Sequence, residues 1–186
     1  MEYDSNYWNR YASKNNFCND ELAKFIRDLA TSLKVKSVLE VGCNAGNGLK
    51  AFPETFDVYG VDANEGSLEK ARKNLPSVEF KKSFITKLPY DDASIDFVFT
   101  HKVLNFISDE EIPIAMNELY RVSKKYILNL ELFKENEEVI NDNGILSWYR
   151  NMYKRWLDFS VKIISNVEMH EDIDPEKTRF VLVRKI

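Results

Sequence analysis

The stretch Ser37-Val38-Leu39-Glu40-Val41-Gly42-Cys43-Asn44-Ala45-Gly46-Asn47-Gly48 constrains this chain more than any other. A short apolar run carries an acid near its end, and a glycine-spaced turn follows at once. A second apolar run, Val58-Tyr59-Gly60-Val61-Asp62, ends in another acid. Two strands in this order belong to an α/β sheet that binds a nucleoside. The first turn brings backbone close to the ligand, and the acid closing the second strand accepts from the two ribose hydroxyls. A glycine-rich turn between any strand and helix is the alternative, and Asp62 at the end of the second run weighs against it.

A dinucleotide site needs G-x-G-x-x-G, so that a pyrophosphate can rest on a helix N-terminus. Here the glycines are Gly42, Gly46 and Gly48, and Asn44 stands where the second dinucleotide glycine would be. Glu40, a carboxylate at a strand end, suits a cationic amino group or a water bound to it rather than a phosphate. The pattern Glu-x-Gly-x-Asn-x-Gly resembles the S-adenosylmethionine (SAM) site of class I methyltransferases. An NAD-dependent oxidoreductase is disfavoured by the Asn44 spacing and by the missing second dinucleotide half.

With 186 residues, the chain is long enough for one domain with a full core. A net charge of −4 argues against non-specific nucleic-acid binding, which relies on basic surface. The two cysteines, Cys18 and Cys43, support neither a disulfide framework nor a four-cysteine zinc site, and no metal is expected. No stretch is long and apolar enough to span a bilayer. The acidic start Met1-Glu2-Tyr3-Asp4 does not read as a signal peptide, so a cytoplasmic location is expected.

Along the chain, Tyr7, Trp8 and Tyr11 fall at helical spacing. Asn19 or Asp20 caps a helix running to about Leu33. Strands are expected over 36–41 and 57–62, with a short helix after the glycine turn and another from near Asn64 to before Pro76. Further strands are expected over 78–82, 95–100, 126–131, 161–168 and 178–185. Ser108 caps a helix between the fourth and fifth. Residues 134–145 read as irregular, and 146–159 as a strongly aromatic helix.

The stretches GCNAGNGL, GVDAN, LPYDDASIDFVFTHKVLNFIS and NELYRVSKKYILNLELF are similar to the methylases associated with pseudaminic acid and related surface-sugar biosynthesis. The likeness covers roughly residues 36–133. It implies an α/β fold of the Rossmann-like class I methyltransferase kind. Such a fold has a seven-stranded, mostly parallel sheet with an antiparallel C-terminal strand and helices on both faces. Length and patterning add a single domain over 1–186, with an N-terminal helical lid region over 1–33 and an acceptor-side helical insert over 134–160 as expectations. The resemblance carries a further implication for ligands. Its cofactor would be SAM, and its partner a small-molecule acceptor. Two departures from the family pattern stand out. Phe106 replaces a histidine usual in Leu-x-His-Ile, and Thr100-His101-Lys102 replaces Thr-Lys-Gly.

Methyl transfer from a sulfonium needs an aligned acceptor and excluded water, and a base only where the acceptor must lose a proton. Glu40, Gly42, Asn44, Gly46 and Asp62 form the expected cofactor cradle, with Ala63, Asn64 and Thr100 beside it. Ser83 and Phe84 lie at the adenine; a core place for Phe84 is equally open. Tyr11, with Tyr7 and Trp8, would close over the sulfonium or pack on the core. His101 is the candidate base, against a rim or orienting role. Glu131, at the tip of the fifth strand, would bind a cation or act as base, against a salt-bridged rim carboxylate. Lys102 and Asn105, and Trp148, Tyr149 and Arg150 on the aromatic–basic helix, would hold the acceptor; a plain core helix is the alternative.

These features point to a SAM-dependent methyltransferase acting on an oxygen of a small anionic metabolite, a sugar or sugar-nucleotide of surface-glycan biosynthesis. The alternatives are a methyltransferase of a carboxylate, amine, phosphate derivative or RNA, and a catalytically silent SAM-binding module.

Overall fold

Strand β4 (Ile95–His101) is buried along its length up to Thr100, which requires cover on both faces. The computed structural model, which describes residues 19–142 and 145–186, supplies that cover. β4 lies in the middle of a seven-stranded sheet of order β3-β2-β1-β4-β5-β9-β8. β1 (Ser37–Val41) pairs in parallel with β2 (Asp57–Asp62) and β4, β2 with β3 (Glu79–Lys82), and β4 with β5 (Ser123–Glu131). β9 (Arg179–Lys185) runs antiparallel between β5 and β8 (Val161–Glu168), so the last strand is inserted against the direction of its neighbours. This is the Rossmann-like methyltransferase sheet expected from the sequence.

The side-chain alternation of the strands sorts two cores. Val38, Phe97, Phe99, Leu128 and Leu182 meet Leu22 and Ile26 of α1 (Asp20–Ser32) and Leu68 of α2 (Glu65–Asn74). On the opposite face, Leu39, Val98, Ile127 and Val181 meet Ile112 and Leu119 of α3 (Ile112–Val122) and Trp156 of α4 (Met152–Trp156). Asn19 caps α1 by accepting from the Leu22 N–H at 3.2 Å. Asn64 caps α2 by accepting from the Ser67 N–H at 3.0 Å.

Two expectations about local structure are corrected. No helix follows the glycine turn. Residues 44–51 form successive turns, linked by i→i+3 bonds such as Gly46 N–H to Cys43 O at 2.8 Å, and positive φ at Asn44 (48°) and Gly46 (82°) prevents helical continuation. The insert over 134–160 is not a long aromatic helix either. β6 (Glu138–Asp142) and β7 (Ile145–Tyr149) pair as an antiparallel hairpin, and only the five residues of α4 are helical. Asn143-Gly144 is a hairpin signal in the sequence that the expectation of an irregular segment over 134–145 leaves unused, and the aromatic spacing that follows suits a strand as well as a helix. The proposed lid residues Tyr7, Trp8 and Tyr11 lie outside the described residues.

Trp156 is fully buried, and its indole N–H donates to Asn129 Oδ1 at 2.7 Å. Trp156→Phe should therefore lose packing volume and leave the buried Asn129 carbonyl unpaired, lowering stability by about 2–4 kcal/mol in urea unfolding.

Candidate functional site

The carboxyl ends of β1, β2, β4 and β5 carry the polar residues that the apolar strands lack. The turn after β1 is fastened to β2 by its backbone: the N–H groups of Gly42 and Cys43 both donate to Val61 O, at 2.8 and 2.9 Å. Asp62 then fastens the turn a second time. Its Oδ2 accepts from the Asn44 N–H at 2.9 Å and its Oδ1 from the Asn64 N–H at 2.8 Å. With about four acceptor positions on an ionised carboxylate, Asp62 keeps capacity for a further donor such as a ribose hydroxyl. Burial raises the Asp62 pKa, and the N–H groups of Asn64, Asn44 and Ala63 counter it.

Glu40 is 5% exposed, and its Oε2 has no hydrogen-bond partner. Burial, and then the charge of Asp62, push its carboxyl well above the usual carboxylate range. A cationic amino group at this point would supply the missing partner, so the residues fit the cofactor expected from the sequence. Gly48, absent from the expected site, is what leaves room for this acid. A Cβ there would lie 2.5 Å from Glu40 Oε1.

Gly42 has φ +77°, and a Cβ on it would lie 2.3 Å from Val103 Cγ2. Its lack of a side chain admits a neighbouring loop of the same chain, a close approach that the sequence reading had attributed to ligand. At Gly46 a Cβ would meet Leu75 Cδ1 at 3.0 Å. Asn44 Oδ1 is buried without a partner. Ser83 donates its hydroxyl to Lys87 O, and its N–H donates to Asp62 O at 3.0 Å, so it ties the turn after β3 to β2. Phe84 beside it is 52% exposed, which corrects the core alternative.

The acceptor-side residues depart most from expectation. Glu131 is 2% exposed and faces no open mouth. It accepts from the Thr100 hydroxyl at 2.6 Å and from the N–H groups of Val103 and Leu104 at 3.0 and 3.1 Å. Burial raises its pKa to about 7 against the pull of these donors. Thr100 is consequently engaged inside the sheet, also accepting from Asn129 Nδ2 at 2.9 Å. Arg150 is buried, donating to Leu104 O, to Ile107 O at 2.6 Å and to Asp109 at 2.9 Å. It is a brace for the turn after β4, not an open contact for an acceptor. Trp148 is buried with the Arg150 guanidinium over its ring, and Tyr149 is half-buried beside it. Lys102 pairs with Glu176.

His101 extends β4 on the face of Phe97 and Phe99, opposite Thr100. Its Nε2 is buried without a hydrogen bond, 3.9 Å from Asp174 Oδ2. Burial, and then Lys102, lower its pKa to about 4, so the ring is neutral at physiological pH. Asn105 is 2% exposed, and both ends of its carboxamide are unpaired. The unpartnered atoms of Glu40, Asn44, His101 and Asn105 thus gather where the sheet presents its carboxyl ends. Among the described residues no group of three His, Cys, Asp or Glu side chains could hold a metal ion, and no helix is long and apolar enough to cross a membrane.

Comparison with known proteins agrees with this arrangement. Residues 38–126 match the methyltransferase domain family. An uncharacterised methyltransferase of Schizosaccharomyces pombe is 31% identical over 122 residues, 58% of this chain and 41% of that protein. Trans-aconitate 2-methyltransferase of Rhizobium rhizogenes is 30% identical over 95 residues, 47% of this chain and 36% of that enzyme. The chain spans 25% to 41% of the length of the curated relatives it matches. A SAM-dependent methyltransferase structure from Aquifex aeolicus superposes with a TM-score of 0.67 over 100% of both chains at 21% identity, which shows the shared fold. Residues 38–126 of this chain are thus similar to a methyltransferase domain, and the sheet that carries them has the Rossmann-like methyltransferase fold.

Proposed function

We propose that this protein transfers a methyl group from SAM to a small-molecule acceptor. The observation that carries the reading is the pairing of a buried acid, Glu40, with a half-buried one, Asp62, across one turn. Asp62 is already oriented by the Asn44 and Asn64 N–H groups, and Glu40 has an unpartnered oxygen beside it. In this reading Asp62 holds the ribose hydroxyls, Glu40 the amino group, and the half-exposed Phe84 ring lies against the adenine. SAM, when bound, supplies an activated methyl carbon. The protein's part is to orient the acceptor behind it and keep water out.

Oxygen remains the proposed accepting atom, with a sugar hydroxyl included. The narrower tie to surface-sugar pathways rests on the resemblance of residues 36–133 alone. Negative charge on the acceptor loses its support. Lys154 is paired with Glu135 at 2.7 Å and Arg155 with Glu137, while Arg150 is committed to Asp109 and two carbonyls, so an anion would have to displace carboxylates. The Asn105 carboxamide, with both ends unpaired, is the better candidate for reading a neutral hydroxyl.

Calorimetry should show binding of SAM and of S-adenosylhomocysteine and none of NAD. Binding of NAD with no response to SAM would overturn the reading. Asp62→Ala should weaken SAM by roughly 2–4 kcal/mol, since a charged acceptor in a partly buried site is lost. Release of S-adenosylhomocysteine against a panel of hydroxylated metabolites separates an enzyme from a silent binding module.

His101 has its own test. If it takes the acceptor proton, His101→Ala should lower kcat by about 100-fold or more while SAM affinity stays within a few-fold. With the imidazole pKa at about 4, the rate should be flat from pH 6 to 8 rather than rising near pH 6.5. Stability gives the same signature. A histidine held neutral in the fold favours the native state above about pH 6.5, and that contribution should be lost as pH falls from there through about 4. His101→Gln should flatten that part of the stability profile.

A further inference from the structure

The turn that leaves β4 is held from two sides. From β5, Glu131 accepts from the Val103 and Leu104 N–H groups at 3.0 and 3.1 Å, and the Asn105 N–H adds to them. From the end of the hairpin, Arg150 donates to the carbonyls of Leu104 and Ile107. At the start of the turn the Lys102 N–H bonds Leu130 O at 2.9 Å, which prolongs the β4–β5 ladder. A polar chain backs the carboxylate. Thr100 donates to it, Asn129 donates to Thr100, and Trp156 donates to Asn129.

The face of this turn away from Glu131 meets the glycine turn after β1. Val103 lies so close over Gly42 that a Cβ there would come within 2.3 Å of Val103 Cγ2. Gly42 in turn is bonded to Val61, next to Asp62. The contact is between the Val103 side chain and the Gly42 backbone, close-packed, so a shift of the turn that carries Val103 displaces the glycine turn.

We propose that Glu131 is a positioning residue for the cofactor site: it fixes the turn Val103–Asn105, and through Val103 it sets how the Gly42 turn lies. The inference rests on the reading of the Gly42–Asp62 region as the SAM site. Glu131 itself touches no part of that region; its effect passes through the backbone it holds.

The carboxyl group titrates near neutrality, and its charged neighbours are few. Arg150, which holds the same turn from its other side, is engaged by Asp109 and by carbonyls. Arg179 is its register partner on β9, with the guanidinium over the Phe133 ring, and His101 follows Thr100 on β4. Protonation removes the charge that strengthens its bonds to the N–H groups, so acidification should loosen the turn.

The test measures S-adenosylhomocysteine affinity of the full chain at pH 6, 7 and 8 for wild type, Glu131→Gln and Val103→Ala, with folding checked by circular dichroism. Glu131→Gln should weaken binding at least about 10-fold at pH 8. Wild-type affinity should fall from pH 8 to pH 6, and the variant should have lost most of that dependence. Val103→Ala keeps every bond to Glu131 and removes only the transmitting contact. It too should weaken binding and blunt the pH response. A folded Glu131→Gln that binds as wild type at all three pH values overturns the proposal. Where Glu131→Gln does not fold, unchanged binding by Val103→Ala overturns it. Failure of the wild type to bind S-adenosylhomocysteine is a different result, which removes the cofactor reading and this inference with it.

Discussion

The Asp62 carboxylate holds two chain segments at once. One oxygen takes the N–H of Asn44 in the turn after β1, and the other takes the N–H of Asn64 at the cap of α2. Neither segment has regular structure of its own at that point, and each would leave a backbone donor unpaired without the acid. With it, the turn, the strand end and the helix start form one rigid unit. In the proposed reading the site depends on that unit, which leaves Asp62 with acceptor capacity and puts Glu40 behind the turn.

Asp62, Glu131 and Glu40 stand at strand ends on the carboxyl side of the sheet, and each meets the cost of burial differently. Asp62 is compensated by backbone donors. Glu131 is compensated by a hydroxyl and by the turn after β4, and becomes part of the scaffold. Glu40 keeps an oxygen without a partner. In the proposed reading that difference distinguishes an acid that builds the site from one that a ligand completes. A buried acceptor left unmade costs more than the mean worth of a hydrogen bond, so natural folds keep such groups mainly where something else completes them.

In the proposed reading the two halves of the site rest on different parts of the chain. The cofactor side is local, built from β1, β2 and the turns that join them to the following segments. The acceptor side is assembled from the turn after β4, the end of β5, the hairpin and α4. Arg150 ties the end of the hairpin to the turn after β4 through Leu104 and Ile107. The basic and aromatic side chains of residues 148–156, which read as a binding face, are largely spent on internal pairing.

The strands of the main sheet, the glycine turn, the Asn19 cap and the place of Asp62 were legible in the sequence, because each follows from apolar runs of strand length, glycine spacing or a side chain bonding its own neighbours. Tertiary structure alone decided what Glu131, Thr100, Arg150 and Gly42 do. Thr100 meets Glu131 across 31 positions, and Arg150 meets Leu104 across 46. No local pattern encodes such partners. A buried acid beside donors from another strand and an open acid at a pocket mouth have the same one-letter context. The hairpin fell between the two kinds of information. Asn143-Gly144 announced it, but residues 145–149 suit a helix or a strand alike, and the choice was made by pairing with Glu138–Asp142.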